Sequence, residues 1–563
     1  MAMRVPLTDM VLEATNTYLA RTVFHAPPFT EAEKKQTAAE LLAETVTPLE
    51  AANAVLPGGS RYRIPQELSA YQIARLMLIC ETVRLIHVNP NNPTDYILGV
   101  YMNDGDRQGL YATDEISLRR VIAQYACDVN KHMQTEIIRR LEEMAPQADR
   151  CTERNLIPVA NGVFDYDTKT LLPFDPSRVF LAKAQIGYNP NAQNPVIHNP
   201  DDGTDWDVET WMSELSDDPE IVNLLWQVIG ATLRPFVPWG KIAFFFSTQG
   251  NNGKGTLCSM MRNLLGPHAC TALQLSDFSQ NFRLSPLLRA TAIINDENDV
   301  GELIDKANAI KSVATNDVLV IEEKFHNPVS FQYFGFMVQC VNEFPRTKDK
   351  SGSFYRRIVF IPFEKCFTGV ERKYIKADYL KRQDVLEYVL FRVLNMNYDQ
   401  LSEPDACNLA LEEYKTYNDP IRDFLDDILP QATWDLLPFT FLYDLYLKWL
   451  KATAPQAKPV SRNRFISDLP ERLAGQPEWA MPGKDKNGKI RQVRTGARMN
   501  EPEPLIDKYE LESWYSKTYQ GPDMKRRCKI VPSPLYRGIY RIQSAGQPAP
   551  AQDILDPDAP DEE

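Results

Sequence analysis

The stretch from Phe244 to Thr256, FFFSTQGNNGKGT, constrains the chain more than any other. An apolar, aromatic strand ends in a small polar turn. Gly250, Asn251, Asn252, Gly253, Lys254, Gly255 and Thr256 follow, and the apolar run Leu257 to Leu265 reads as a helix. Strand, glycine turn and Lys-Gly-Thr at a helix start describe a phosphate cradle. Turn amides point at the β- and γ-phosphates, the helix N-terminus adds its positive dipole end, and the lysine neutralises charge. Two positions depart from the P-loop pattern. The place of its first glycine is Thr248, and the residue after the lysine, usually a Ser or Thr on magnesium, is Gly255. A glycine-rich turn without a nucleotide is therefore the competing reading.

Composition sets bounds. A chain of 563 residues allows roughly two to four domains, each able to bury a core. The hydrophobic share of 44% and charged share of 24% are ordinary for a soluble globular chain. The net charge of −13 argues against coating nucleic acid with the whole surface. It leaves room for a local basic loop or channel, because screening limits a charge's reach to roughly 10 Å. Nine cysteines include no CxxC pair, so neither a zinc site nor a disulfide framework is expected, and Cys80, Cys258 and Cys340 read as buried thiols. The N-terminus has no charged-then-apolar signal pattern, and no apolar run reaches membrane-spanning length. The expectation is a bacterial or host cytoplasm, with no membrane partner.

Residues 1–65 read as a helical N-terminal segment, with an amphipathic helix over 32–46. Residues 66–205 read as an α+β domain. It holds a helix over Ala70–His87 broken by Pro90 and Pro93, strands at Tyr96–Met102 and Leu110–Ala112, and a helical stretch from Ile116 to Met144. The segment 155–174 reads as a hairpin with turns at Asn161-Gly162 and Thr168-Lys169. Asp165 and Asp167 raise a two-carboxylate metal site of polymerase or primase type. That chemistry needs a third carboxylate or a histidine, and none stands out nearby, so turn-capping aspartates are preferred. A loop at 188–207 marks a boundary, and a helical linker over 206–235, with a helical stretch Val208 to Leu233, leads to the cradle strand.

Downstream, ATAIINDEND (290–299) is an apolar strand ending in Asp296-Glu297, the Walker B arrangement. The aspartate would hold magnesium, directly or through water, and the glutamate would orient the attacking water. A third strand, Phe334–Val341, ends in Asn342, where an amide suits a γ-phosphate sensor. Arg356 and Arg357 precede another apolar strand. Between these motifs, 318–332 reads as a hairpin with Lys324, Phe325, His326 and Asn327 at its tip.

GNNGKGT, IINDEND, VQCVNEFPR and SFYRRIVFIPF, in this order and spacing, resemble the superfamily 3 helicases. The similarity is greatest to the phage and plasmid primase-helicases related to the poxvirus primase-helicase. NGVFDYDTKTLLP is similar to that family's domain preceding the helicase. The resemblance covers roughly residues 65–540 and implies an α/β fold: an AAA+-like, parallel-sheet P-loop ATPase core over 236–400, after a mixed α+β domain. It further implies a hexameric ring around DNA, ATP and Mg2+ between subunits, and 3′ to 5′ translocation. Lys254 and Thr256 match the phosphate and magnesium positions, Asp296 and Glu297 Walker B, Asn342 the sensor, and Arg356 or Arg357 the arginine finger. Gly255 leaves the magnesium hydroxyl open between Thr256 and water. The family's hairpin enters the ring channel, which would put Lys324 and His326 on DNA phosphate and Phe325 against a neighbouring hairpin or the strand. Phosphate contacts need only be local, so an acidic protein and a DNA ligand are compatible.

After the motor, 401–432 reads as a helical buttress and 433–543 as a winged-helix DNA-binding domain. Phe439 starts a helix, Ser461 is placed to cap the next, and Arg462 and Arg464 lie in its first turn. A basic wing follows with Lys489, Arg491 and Arg494, and the acidic tail 544–563 reads as disordered. The leading reading is an ATP-dependent helicase on single-stranded and forked DNA in the replication of a mobile element. A primase or polymerase would come from another chain. The alternative is an initiator or loader that uses ATP as a switch.

Overall fold

The computed structural model describes residues 5–89, 91–92, 94–126, 128–299, 303–304, 307–322, 328–453, 459–542 and 554–555. The chain divides into two compact units, Met1–Leu411 and Glu412–Glu563. Among the described residues no helix is long and apolar enough to cross a membrane.

The first unit begins with helices Leu7–Arg21 and Glu31–Val55. Thr30 and Glu33 form a capping box, and the second helix continues past the expected 46 to Val55, with Pro48 inside it. The helix expected over Ala70–His87 ends at Cys80, where Glu81 turns extended (φ −123°, ψ 156°). Val83–His87 is instead a strand, antiparallel to Tyr96–Tyr101 in the register Val83↔Val100 and parallel to Gln147–Asp149. Apolar periodicity alone does not separate a buried helix from a buried strand, and pairing on both sides decides it. Glu81, at the switch, is buried and accepts from Lys34 Nζ (2.6 Å) and Tyr125 OH (2.9 Å). The stretch Ile116–Met144 is two helices, Glu115–Ala123 and Lys131–Met144; Asn130 caps the second by accepting from Met133 N (2.9 Å).

Residues 155–174 form a three-stranded antiparallel meander, Leu156–Val159, Gly162–Asp165 and Thr170–Leu172. Asp165 Oδ1 accepts from Asp167 N (3.0 Å), Thr168 N (3.4 Å) and Asn155 Nδ2 (3.2 Å), so it caps the turn. The loop 188–207 contains the short pair Ile197–His198 and Asp205–Trp206. The helical stretch Val208–Leu233 is interrupted: helices Val208–Glu214 and Pro219–Leu233 are separated by a turn. There the Asp218 side chain accepts from Glu220 N (2.8 Å) and Pro219 opens the second helix.

At the centre lies a five-stranded sheet whose pairings are all parallel. Its spatial order is Cys270–Thr271, Ala292–Asn295, Phe336–Val341, Ile242–Phe246, Ile358–Pro362. The three inner strands are covered on both faces and read as near-continuous apolar runs. In this order the strand ending before Asn342 sits between the cradle strand and the strand ending before Asp296. Three polar tips therefore share one carboxyl edge of the sheet.

The hairpin is present as Val318–Ile321 paired with Val329–Gln332, Leu319 opposite Phe331. Lys324, Phe325 and His326 lie outside the described residues. Its base is tied to the α+β segment. Gln332 N donates to Val88 O (3.0 Å), and the Arg150 guanidinium donates to the carbonyls of Val88 (3.3 Å) and Gln332 (2.8 Å). Phe331 and Phe334 lie against that guanidinium, their ring centroids 4.7 and 5.2 Å away. Burial pulls its pKa down to about 10.

The second unit packs helices Pro420–Ile428, Phe439–Thr453 and Arg462–Arg472 with a three-stranded sheet ordered Leu436–Pro438, Gly538–Arg541, Trp479–Ala480. Ser461 stands at the N-cap position, but its side chain makes no capping hydrogen bond. Most of the acidic tail lies outside the described residues; within it Ile554–Leu555 pairs with Gln492–Val493.

Candidate nucleotide site

The cradle is built by its own polar side chains. Gln249 N donates to Ser247 Oγ (3.3 Å), Asn252 Nδ2 to Gln249 O (2.5 Å), and Lys254 N to Asn252 Oδ1 (3.3 Å). Asn252 is buried and shapes the loop from inside. Asn251 (φ 52°) and Gly253 (φ 89°) are left-handed, which turns the chain sharply into the helix Lys254–Leu265. A Cβ on Gly253 would also come within 2.6 Å of Leu215 Cδ2, so a side chain there would have to displace the leucine tip as well as adopt a left-handed backbone. The amides of Gly250, Asn251, Asn252, Gly253 and Gly255 donate to no acceptor among the described residues. They stand at a helix N-terminus, where anions are favoured.

Lys254 is 6% exposed. Its Nζ donates to Asn342 Oδ1 (2.9 Å), Val341 O (3.2 Å) and Ser247 O (3.3 Å), with no carboxylate among these partners. Burial lowers its pKa. Below it, Cys258 Sγ and Cys340 Sγ lie 3.4 Å apart between the cradle helix and the sensor strand. Their contact, with burial, pushes the Cys258 thiol well up. Cys80, Cys258 and Cys340 are all buried free thiols.

Asp296 directly follows the neighbouring strand Ala292–Asn295 and meets a residue that the sequence did not single out. Arg262, on the cradle helix, donates to both carboxylate oxygens (2.6 and 3.2 Å). Burial alone would raise the Asp296 carboxyl, but the Arg262 hydrogen bond and charge, with the charge of Lys376, hold it below its ordinary value. Arg262 follows Lys254 by two helical turns, a spacing with no P-loop signal in it. Glu297 is exposed. Asn298, also missed, fixes the acidic turn: its Nδ2 donates to Gln339 Oε1 (2.9 Å) and Cys340 O (2.9 Å), and its Oδ1 accepts from Leu275 N (3.0 Å).

Among the described residues no group of three or more His, Cys, Asp or Glu could hold a metal ion. Magnesium beside a nucleotide asks less: one carboxylate, a hydroxyl or water, and phosphate oxygens. The residues here that could contribute to such a set are Asp296, whose two carboxylate oxygens both accept from Arg262, and Thr256, in the first turn of the cradle helix.

The two arginines differ. Arg357 is half-buried and turned back on the short preceding helix Gly352–Tyr355, Nη1 donating to Ser353 O and to Ser353 Oγ (2.8 Å). Arg356 is exposed. In the second unit, Arg462, Arg464, Lys489 and Arg494 are exposed, whereas Arg491 is half-buried with a buried Nε. Asp485 holds the basic loop as a tight hairpin, Oδ1 accepting from Asn487 N (2.9 Å) and Lys489 N (2.7 Å).

Three family models match separate segments of the chain. Residues 93–214 match the D5 N-terminal-like family, 245–357 a family of unknown function (DUF5906), and 416–501 the poxvirus D5 protein-like family. No curated protein matches. Among solved structures, the apo structure of the NrS-1 C-terminal region (305–718) is similar at 11% identity and TM-score 0.42, covering 76% of this chain and 98% of that one. The A-form apo structure of the NrS-1 C-terminal region has 12% identity and TM-score 0.41, covering 83% and 94%.

Proposed function

We propose that this chain, whose segments 93–214 and 416–501 match the D5 N-terminal-like and poxvirus D5 protein-like family models, is an ATP-dependent DNA helicase of the D5-like primase-helicase type acting in the replication of a phage, plasmid or other mobile element. The observation that carries this reading is the meeting of Lys254 Nζ with Asn342 Oδ1 at 2.9 Å, on the same sheet edge as Asp296. A buried ammonium held by an amide and two carbonyls, with no carboxylate to neutralise it, is ready to accept a γ-phosphate. On that arrival Asn342 can turn its amide toward the phosphate and the attacking water.

Glu297, exposed beyond the strand tip, orients and activates that water. Magnesium, held by Asp296 and by Thr256 or water, would offset charge on the β- and γ-phosphate oxygens. Arg356, free to project, completes the site of a neighbouring copy in an AAA+-like ring, with a hexamer as the working stoichiometry. The hairpin carrying Lys324, Phe325 and His326 would touch the DNA backbone. The basic hairpin of the second unit, with Arg462 and Arg464, would bind duplex as a winged helix does.

The test is steady-state ATP hydrolysis with and without single-stranded DNA. Wild type is expected to hydrolyse ATP with DNA stimulation, and Lys254→Ala to lose turnover. A Lys254→Ala protein that turns over like wild type contradicts the reading.

A further inference from the structure

Beyond the last strand of the parallel sheet, the segment 366–377 runs along the cradle and meets it at successive positions. Phe367 N donates to Asn251 O (2.8 Å). The Asn251 amide donates to Thr368 Oγ1 (3.3 Å) and Glu371 Oε1 (2.9 Å). A Cβ on Gly253 would lie 3.7 Å from the Phe367 ring. Lys376 comes last: its Nζ lies 3.7 Å from the place a Cβ on Gly255 would occupy.

The segment is anchored on both sides of these contacts. Arg372 pairs with Glu214 (2.6 Å), Ile375 is buried, and the short helix Lys373–Ala377 packs on the cradle helix. Lys376 itself is exposed and makes no hydrogen bond or ion pair among the described residues. Its charge nevertheless reaches Asp296.

Position 255 is where a Ser or Thr would offer a hydroxyl to magnesium. Gly255 offers none, and an ammonium fills the space beside it. We propose that Lys376 is a phosphate-binding residue of the cradle. It contacts the β- and γ-phosphates of a nucleoside triphosphate from beside Gly255, adding its charge to that of any bound magnesium. This rests on the nucleotide reading above. Its consequence is specific: part of the phosphate charge is met by the chain itself, so nucleotide binding survives removal of divalent cations. Asn251 fixes the start of the strap on the loop, and Ile375 and Arg372 fix its end, so the ammonium is held near the cradle without a partner of its own.

The experiment measures binding of a fluorescent ATP analogue to the full chain, in magnesium and in EDTA. Wild type is expected to bind in both. Lys376→Ala should weaken binding in EDTA by about 10- to 100-fold, the range of a charge-assisted hydrogen bond, and weaken it less in magnesium. Lys376→Arg should restore EDTA binding. Lys373→Ala, an exposed neighbour on the same helix, should behave as wild type. Adding Gly255→Ser to Lys376→Ala should recover binding in magnesium but not in EDTA; the site has room for that side chain. If Lys376→Ala binds as wild type in EDTA while Lys254→Ala does not bind, Lys376 is a solvated lysine and the cradle reading stands. If wild type binds in neither condition, the cradle reading itself fails.

Discussion

Arg356→Ala should keep nucleotide binding and lose hydrolysis by roughly 10³-fold, as arginine fingers do, read from single-turnover hydrolysis beside equilibrium binding. Arg357→Ala should act through the Ser353 helix turn instead, lowering stability before it lowers chemistry. Asp296 gives a pH effect of defined sign. Its folded carboxyl titrates below the ordinary value, so the ion pair with Arg262 is complete above the usual carboxylate range and is lost as pH falls through the folded value. Asp296→Asn should therefore flatten the acid limb of the stability profile. The pair is partly exposed, so the change should stay under about 1 kcal/mol. The buried Lys34–Glu81 pair is different. Glu81→Ala strands an ammonium that is 10% exposed and should destabilise the first unit by about 3–5 kcal/mol in urea unfolding.

At the scale of elements, the Arg150 fork joins the hairpin's base strand to Val88. Arg150→Met keeps the aromatic packing but removes both hydrogen bonds. Hydrogen exchange at Val329–Gln332 should rise, and DNA stimulation of hydrolysis should fall while hydrolysis without DNA is unchanged. Four of the sheet's five strands and the cradle helix were legible because each is bounded by a strong local signal: glycines at 250 and 253, the Asp-Glu tip, Asn342, the Arg pair; the two-residue edge strand Cys270–Thr271 has no such signal and was not. The strand Val83–His87 was not legible, because VRLIH continues the apolar spacing of the preceding helix and only its pairing with Tyr96–Tyr101 makes it a strand. Breaks at Gln124–Asn130 and Leu215–Asp218 turn on capping side chains inside helical patterns. Arg262, Asn298 and Lys376 escaped for another reason. Each reaches the site through tertiary packing from a position where local sequence reads as an ordinary solvated polar residue.

For the whole molecule, an acidic chain is expected to grip DNA through two small basic regions, the hairpin tip and the loop 483–491. Lys486→Ala and Lys489→Ala, both at exposed positions, should each reduce the salt slope of duplex binding by about 1 and weaken all sequences alike. Particles formed with a non-hydrolysable ATP analogue and DNA should be rings, and Arg356→Ala should still form them. In the proposed helicase, hydrolysis at the cradle is coupled to strand separation. The most direct measurement is displacement of a labelled strand from a forked duplex by the full chain with ATP. Wild type should displace it, and Lys254→Ala should not. ATP hydrolysis stimulated by single-stranded DNA with no displacement by wild type would contradict the helicase account and leave a nucleotide-driven switch in its place.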